Sequence, residues 1–366
     1  MPDDAGRVVA ATGAVDPDRL GPVLPHEHVF IDLVEAWFEL PDSAVDRRLA
    51  REPVSLENLS HIRRNPLGNR DNARLDAVDE AIEEIARFAQ AGGGTIVDVT
   101  PKHTGGDPER VRSVCRAAGV HLVHGTAYYT KPAHPPGLTE PPIDELADEF
   151  VADVRDGIDD TDVRAGLIGE IGLSGRMHEA EQHVLRAGAR AAVRTGAPLS
   201  VHPPGATPEA NEGGAFPTSR WALLVLDIVE EEGLAPERVV MSHMDRTRLE
   251  FTPDALAYQR QVADRGAYLE YDLWGTEFSR DEFGTEWPSD AERLDVVSEL
   301  VADGYVDQLL FSHDICMKAQ QTAYGGFGYA HLLEHIVPRL RAAGFTDQQL
   351  DAVLVDNPQR MLTFVA

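Results

Sequence analysis

Short apolar runs recur along this chain, and between them apolar residues return every three or four positions. The runs are VLPHEHVF (23 to 30), TIVDVT (95 to 100), HLVHGTAYY (121 to 129), AGLIGEIGL (165 to 173), PLSVHP (198 to 203), VVMSHM (239 to 244), AYLEYDL (267 to 273) and QLLFSHD (308 to 314). Runs of this length that are apolar nearly throughout read as strands buried on both faces, as in a parallel sheet. The stretch DAVDEAIEEIARFAQAGGG shows the other period: Val78, Ile82, Ile85 and Phe88 share one helical face, and glycine marks the stop. EAEQHVLRAGARAAVRTG, SRWALLVLDIVEEEG and AERLDVVSELVADG repeat that pattern. Eight strands alternating with helices predict a (β/α)8 TIM barrel of the α/β class. A doubly wound open sheet competes, but it would carry a glycine-rich phosphate loop after an early strand. The GGG at 92 to 94 precedes a strand instead and reads as a helix stop.

Neither a solenoid repeat nor a low-complexity linker interrupts the alternation, so one domain over 1–366 is expected, opening with a small hairpin at about residues 6 to 20. Two segments exceed ordinary barrel loops. Residues 31 to 75 include Trp37, Phe38 and the polar run ENLSHIRRNPLGNRDN, and residues 274 to 288 read WGTEFSRDEFGTEWP. Both follow strand ends, the face on which barrel enzymes build substrate sites.

Composition narrows the function classes. With 366 residues, 43% of them hydrophobic, a large core needs no staples. The two cysteines, Cys115 and Cys316, lie far apart and no secretory leader pattern opens the chain, so a reducing cytoplasm is the expected location. No apolar stretch approaches the roughly 20 residues of a membrane span. A formal charge of −29 argues against nucleic-acid partners and acidic membrane surfaces. The expected partner is a small-molecule substrate, with a homodimer as the candidate assembly. Only three of the 33 basic residues are lysines: Lys102, Lys131 and Lys318.

The candidate chemistry starts at "PHEH". Residues i and i+2 of a strand point the same way, so His26 and His28 face one side and Glu27 the other. A barrel gathers the carboxyl ends of all its strands on one rim. There the fourth run adds Glu170, the fifth His202, the sixth His243 and the eighth Asp314. Singly, His202 or His243 reads as a buried, hydrogen-bonded histidine and Asp314 as a helix cap. Jointly, four imidazoles and two carboxylates at the ends of five otherwise apolar strands form a ligand set for Zn²⁺ or a similar divalent ion. The set is too rich for one tetrahedral catalytic site, so two metal ions per chain are expected.

With those residues in view the sequence resembles the phosphotriesterase family of the amidohydrolase superfamily, along nearly its whole length. REPVSLENL, LIGEIG, MSHMDRT, LEYDLWGTE, YGGFGYAHLLEHIVPRL and NPQRMLTF are similar to its branch of phosphotriesterase-related proteins. The resemblance implies that His26, His28 and Asp314 hold the buried metal, His202 and His243 the outer one, and Glu170 both. The better-known phosphotriesterases bridge their metals with a carboxylated lysine, where this chain has Glu170. The resemblance also matches Tyr129 to a tyrosine beside the outer metal and the leaving group; its other reading is an aromatic at the barrel mouth.

The implied reaction is metal-dependent hydrolysis in which a bridging hydroxide attacks a carbonyl centre, with Asp314 taking the proton. The bond implied by the branch is an amide, such as that of an N-acyl taurine or N-acyl amino acid. A lactone or phosphotriester would use the same ligands, and binding of a small ligand without turnover is the alternative of another class. Arg246 and Lys318, on loops of the substrate face, are candidates to hold an anionic group, and Trp274 and Tyr271 to wall the substrate pocket.

Overall fold

The structure, a computed structural model, describes residues 4–38, 40–175, 177–204, 218–246, 251–280 and 285–366. Eight strands form its centre: β1 (Val23–Glu27), β2 (Thr95–Asp98), β3 (His121–Thr126), β4 (Ala165–Gly172), β5 (Leu199–His202), β6 (Val239–Met241), β7 (Tyr268–Tyr271) and β8 (Leu309–Phe311). Each pairs in parallel with the next in chain order. The circle is drawn together between β8 and β1, where the Asp314 amide donates to the His26 carbonyl at 3.2 Å. This is a (β/α)8 barrel, and its outer layer comprises α1 (Val78–Gln90), α2 (Pro108–Ala118), α3 (Ile143–Arg155), α4 (Glu179–Thr195), α5 (Thr218–Glu231), α6 (Pro253–Asp264), α7 (Asp290–Ala302) and α8 (Val337–Ala342).

Local chemistry sets these boundaries. In α2 the Asp107 side chain accepts from the Arg110 amide, Pro108 occupies the first turn, and Gly119 ends the helix in the left-handed conformation. In α7 Ser289 and Glu292 form a reciprocal capping box. Ile85 and Phe88 of α1 are fully buried, as their spacing predicts.

The strands are shorter than the apolar runs, mostly because several runs leave the ladder where the ligand-type residues begin. His28, His243 and Asp314 lie just past strand ends, the last two with φ of 56° and 50°. Left-handed backbone at non-glycine residues is uncommon and needs surrounding structure to hold it.

At the amino end the hairpin pairs Val8–Ala10 with Gly13–Val15, and the Ala11 amide donates to the Leu122 carbonyl at 2.8 Å. It seats so close to β4 that a Cβ on Gly166 would lie 2.1 Å from the Val9 carbonyl oxygen. At the carboxyl end the segment of residues 31 to 75 is closed at its base by a two-stranded ribbon, Ile31–Asp32 with Arg74–Leu75. Within it lie the short helices Val34–Trp37, Ala44–Leu49 and Leu59–Ile62. The later segment holds a second ribbon, Ser279–Arg280 with Thr285–Glu286, and its residues 281–284 lie outside the described residues. No described helix is long and apolar enough to cross a membrane.

Candidate active site

Three groups of ligand-type atoms share the rim among the described residues: His26, His28 and Asp314; His26, Glu170 and His243; and His26, Glu270 and Asp272, each gathered within 4.8 Å. Asp314 Oδ1 is 3.2 Å from His28 Nε2 and 3.8 Å from His26 Nε2. Glu170 Oε1 is 3.8 Å from His28 Nε2, and its Oε2 is 3.4 Å from His243 Nε2 and 3.8 Å from His26 Nε2. Donors bound to one zinc ion at about 2.0–2.2 Å stand roughly 3.4 Å apart at tetrahedral angles, the scale of these separations. His202 stands at the flank, its ring centroid 4.6 Å from that of His243.

Among the atoms of the ligand groups, His26 Nε2 and Glu170 Oε2 are buried and without a hydrogen-bond partner. Orphaned buried polar atoms are costly unless something satisfies them, and a cation satisfies both. Charge gives the same answer. Burial opposes charge on His26, but Asp272, Glu170 and Glu270 outweigh it and hold the imidazole well above its ordinary pKa. Burial, with Asp314 and Glu170 nearby, pushes Asp272 up to about 7 despite His26. Buried Glu170, Glu270 and Asp272, with the less buried Asp314, crowd this end of the barrel and draw positive charge into it. The donor set fits a metal centre.

A second layer fixes the ligands. His26 Nδ1 is 3.0 Å from Glu270 Oε2 and 3.3 Å from Asp272 Oδ2. His243 Nδ1 pairs with Asp272 Oδ1 at 2.9 Å, and His28 Nδ1 with Thr100 Oγ1 at 2.9 Å. Anchoring Nδ1 leaves Nε2 of each ring turned to the centre. Glu270 and Asp272 were not read as site residues in the sequence, although their spacing in LEYDL puts both side chains on the inner face of β7. The same alternation sends Tyr271 outward, where its hydroxyl donates to Gln259 Oε1 on α6 at 2.6 Å, so it walls no substrate pocket.

The centre opens into a cavity of about 470 Å³. Its walls include Ile31, Leu33, Trp37, Pro66 and Leu67 from the first long segment, Leu273 and Trp287 from the second, and Cys316 and Met317 beyond β8. Tyr129 lines it, ring centroid 5.2 Å from His202. The close approach needs Gly172, since a Cβ there would lie 2.3 Å from the Thr130 amide. Burial, reinforced by Glu170, holds the Tyr129 phenol well above its ordinary pKa. Burial opposes charge on Asp314, but the hydrogen bond from His28 with His243 and His26 nearby lowers its pKa.

Arg246 lines the cavity half-buried, with Nη2 2.5 Å from His202 Nε2. Lys318 does not: its ammonium turns away to Asp71 at 2.7 Å and lies over the Tyr324 ring. Trp274 is 1% exposed and packs edge-on to Phe311 in the core while its neighbour Leu273 faces the cavity, so it is no substrate wall. The cavity is also lined by Ser174 and His178, which precede α4 and which the strand-end reading passed over because they lie in a loop.

A parallel eight-stranded barrel that gathers unsatisfied nitrogen and oxygen donors beside a substrate-sized cavity defines a metal-dependent hydrolase of the barrel type. The chain belongs to the phosphotriesterase family, whose model matches residues 6–362. It is 34% identical over 367 residues to the N-acetyltaurine hydrolase of Danio rerio, the alignment covering 100% of both chains. Among solved structures, a resiniferatoxin-binding protein from Rhodobacter sphaeroides superposes with a TM-score of 0.91 at 39% identity, covering 99% of this chain and 97% of that one. A phosphotriesterase homology protein from Escherichia coli, complexed with phosphate in its active site, gives 0.74 at 26% identity, covering 94% and 99%.

Proposed function

We propose that the protein is a binuclear carbonyl hydrolase whose substrate is an amide with an anionic leaving group, an N-acyl taurine or N-acyl amino acid. In this reading His26, His28 and Asp314 would hold one divalent ion, His202 and His243 the other, and Glu170 both. Zinc is the ion that suits these donors. The pair supplies a water activated near neutral pH and polarises the scissile carbonyl.

The remaining steps belong to side chains. The Asp314 carboxylate accepts the proton lost by the water and passes it to the leaving nitrogen. The Tyr129 hydroxyl, kept protonated by burial, donates a hydrogen bond on the leaving-group side. Arg246 grips the sulfonate or carboxylate, and it is the only arginine or lysine among the described residues lining the cavity. The apolar walls take the acyl chain, and about 470 Å³ leaves room for one longer than acetyl.

The observation that carries the reading is the set of inward, partnerless donor atoms beside an apolar cavity with a single guanidinium. Full-length similarity to an N-acetyltaurine hydrolase supports the choice of bond. The test is a hydrolysis screen of metal-replete protein against N-acyl taurines, N-acyl amino acids, lactones and organophosphates. Anionic amides are expected to give the highest kcat/KM. Arg246→Met is expected to raise KM for them roughly 10–100-fold, the worth of one charge-assisted contact, and to leave a neutral lactone unaffected. A lactone or organophosphate as best substrate would overturn the amide assignment, and tight binding without product would mark a binding protein.

A further inference from the structure

The middle residue of the His26-Glu27-His28 triplet is the one that cannot reach the metal centre, yet it is fully buried. A carboxylate with no solvent must be satisfied by donors. Glu27 finds all of them in one stretch on the far side of the barrel seam. Its Oε1 accepts from Ser312 Oγ at 2.8 Å, from the His313 amide at 3.0 Å and from His313 Nδ1 at 2.8 Å. Its Oε2 accepts from the Ile315 amide at 2.9 Å. The His313 ring is fixed in turn, since its Nε2 accepts from the Leu332 amide at 3.0 Å, which leaves Nδ1 to carry the proton given to Glu27.

These donors bracket Asp314 on both sides. Asp314 has φ of 50°, a left-handed conformation that an aspartate leaves readily unless its neighbours forbid it. The backbone of Asp314 itself is pinned at both ends, its amide to the His26 carbonyl at 3.2 Å and its carbonyl to Gln320 Nε2 at 2.8 Å. Ser312 Oγ also accepts from the His26 amide at 3.1 Å, so one hydroxyl ties Glu27, His26 and the approach to Asp314 together. His26 and His28 are chain neighbours of Glu27, whereas Asp314 comes from the other end of the sequence. One side chain thus joins the two halves of the ligand group.

We propose that Glu27 is a positioning residue that holds Asp314 in its left-handed conformation, and thereby sets the distance between Asp314 and the His26 and His28 imidazoles. The proposal rests on the reading of Asp314 as metal ligand and proton acceptor. Glu27→Gln is the sharp variant: the amide oxygen can keep the Ser312 and His313 bonds, but its NH₂ then confronts the Ile315 N–H, donor against donor. Ser312→Ala is the milder one, removing the hydroxyl that donates to Glu27 and accepts from the His26 amide while leaving the other Glu27 bonds in place.

The test loads the full-length protein with cobalt, measures release of Co²⁺ to a chelator, and separates kcat from KM on the best substrate. Glu27→Gln is expected to shed its cobalt roughly 10–100-fold faster and to lose kcat by a similar factor, with KM within about twofold, as when a ligand's supporting partner is lost. Ser312→Ala is expected to shift the same two readouts by a smaller factor, and it decides the matter if Glu27→Gln does not fold. Leu20→Ala, at the other end of the barrel, is the control that lowers Tm without speeding cobalt release. If Glu27→Gln or, failing that, Ser312→Ala lowers only Tm, with wild-type release and kcat, Glu27 is a structural anchor and the proposal falls. Asp314→Asn separates this from the functional reading. Wild-type cobalt retention in that variant would overturn the ligand role of Asp314, whereas loss there with retention in the Glu27 and Ser312 variants would overturn only the positioning role.

Discussion

The same eight strands build two ends with opposite chemistry. Towards the amino end Val23, Val97, Val123, Leu167, Val240 and Leu310 pack with Leu20 and Met361 into a dry floor, each no more than 3% exposed. Towards the carboxyl end the strands deliver His26, Glu170 and Glu270, as deeply buried as the floor but titratable. Burial is equal, so burial does not distinguish them. The floor is satisfied by contact alone and tolerates exchange of one apolar group for another of similar volume. The rim is satisfied only when every donor, acceptor and charge has its partner, and its innermost atoms lack one within the chain.

The comparison predicts that rim and floor fail in different ways. The largest effect is expected from Glu170→Gln. In the proposed binuclear reading a neutral amide could not serve both cations as the carboxylate would, and a metal's electrostatic contribution of several kcal/mol corresponds to roughly a thousandfold in kcat or more. Elemental analysis should find metal lost together with activity, while Tm measured without metal changes little. Normal occupancy and turnover would mean that another group bridges.

Leu20→Ala tests the opposite end. Leu20 is 0% exposed beneath the barrel, and truncating a buried leucine costs about 2–5 kcal/mol. Denaturant unfolding should show that loss with metal content and KM intact. Altered metal content in the folded variant would show that the two ends are coupled rather than independent.

Third in size is Asp272→Asn. Asp272 supports the Nδ1 atoms of both His26 and His243, through opposite oxygens, at 3.3 and 2.9 Å. Removing a supporting partner of this kind typically costs roughly 10–100-fold in metal affinity. Chelator competition should show that loss, and affinity within twofold of wild type would assign the work to Glu270 alone.

What the sequence makes legible follows from this division. Strand and helix periods are local, so the barrel can be read from them, and ligand-type residues at the ends of apolar runs stand out because nothing else there is polar. The supporting layer is hidden for a physical reason: Glu27, Glu270 and Asp272 act through partners in other strands, and their residue types do not distinguish a surface acid from a buried clamp. Trp274 and Tyr271 are misread as pocket walls because aromatic residues near a strand end can face either side, and here the core claims both. Left-handed backbone at His243 and Asp314 carries no signal that a single sequence offers.

The smallest effect separates the two cations. Arg246 and Lys318 are alike in sequence context, each a few residues past a rim ligand, yet Lys318 meets Asp71, 247 positions away in the chain and inside the segment of residues 31 to 75. That pairing takes its charge out of the cavity and fastens the segment to the loop after β8, where the Lys318 amide also donates to the Asn72 carbonyl at 3.1 Å. The lysine side chain is 12% exposed and the aspartate 33%, so the pair is partly screened and its loss is worth about 1 kcal/mol or less. Lys318→Met should therefore lower Tm slightly and leave KM for an N-acyl taurine unchanged, while Arg246→Met raises it. Any loss of activity should appear equally with anionic and neutral substrates, because a loosened segment shifts Trp37, Pro66 and Leu67 at the cavity wall whatever the substrate's charge. A rise in KM confined to the anionic substrate would mean that Lys318 leaves Asp71 to bind it, and that the first long segment moves when substrate enters.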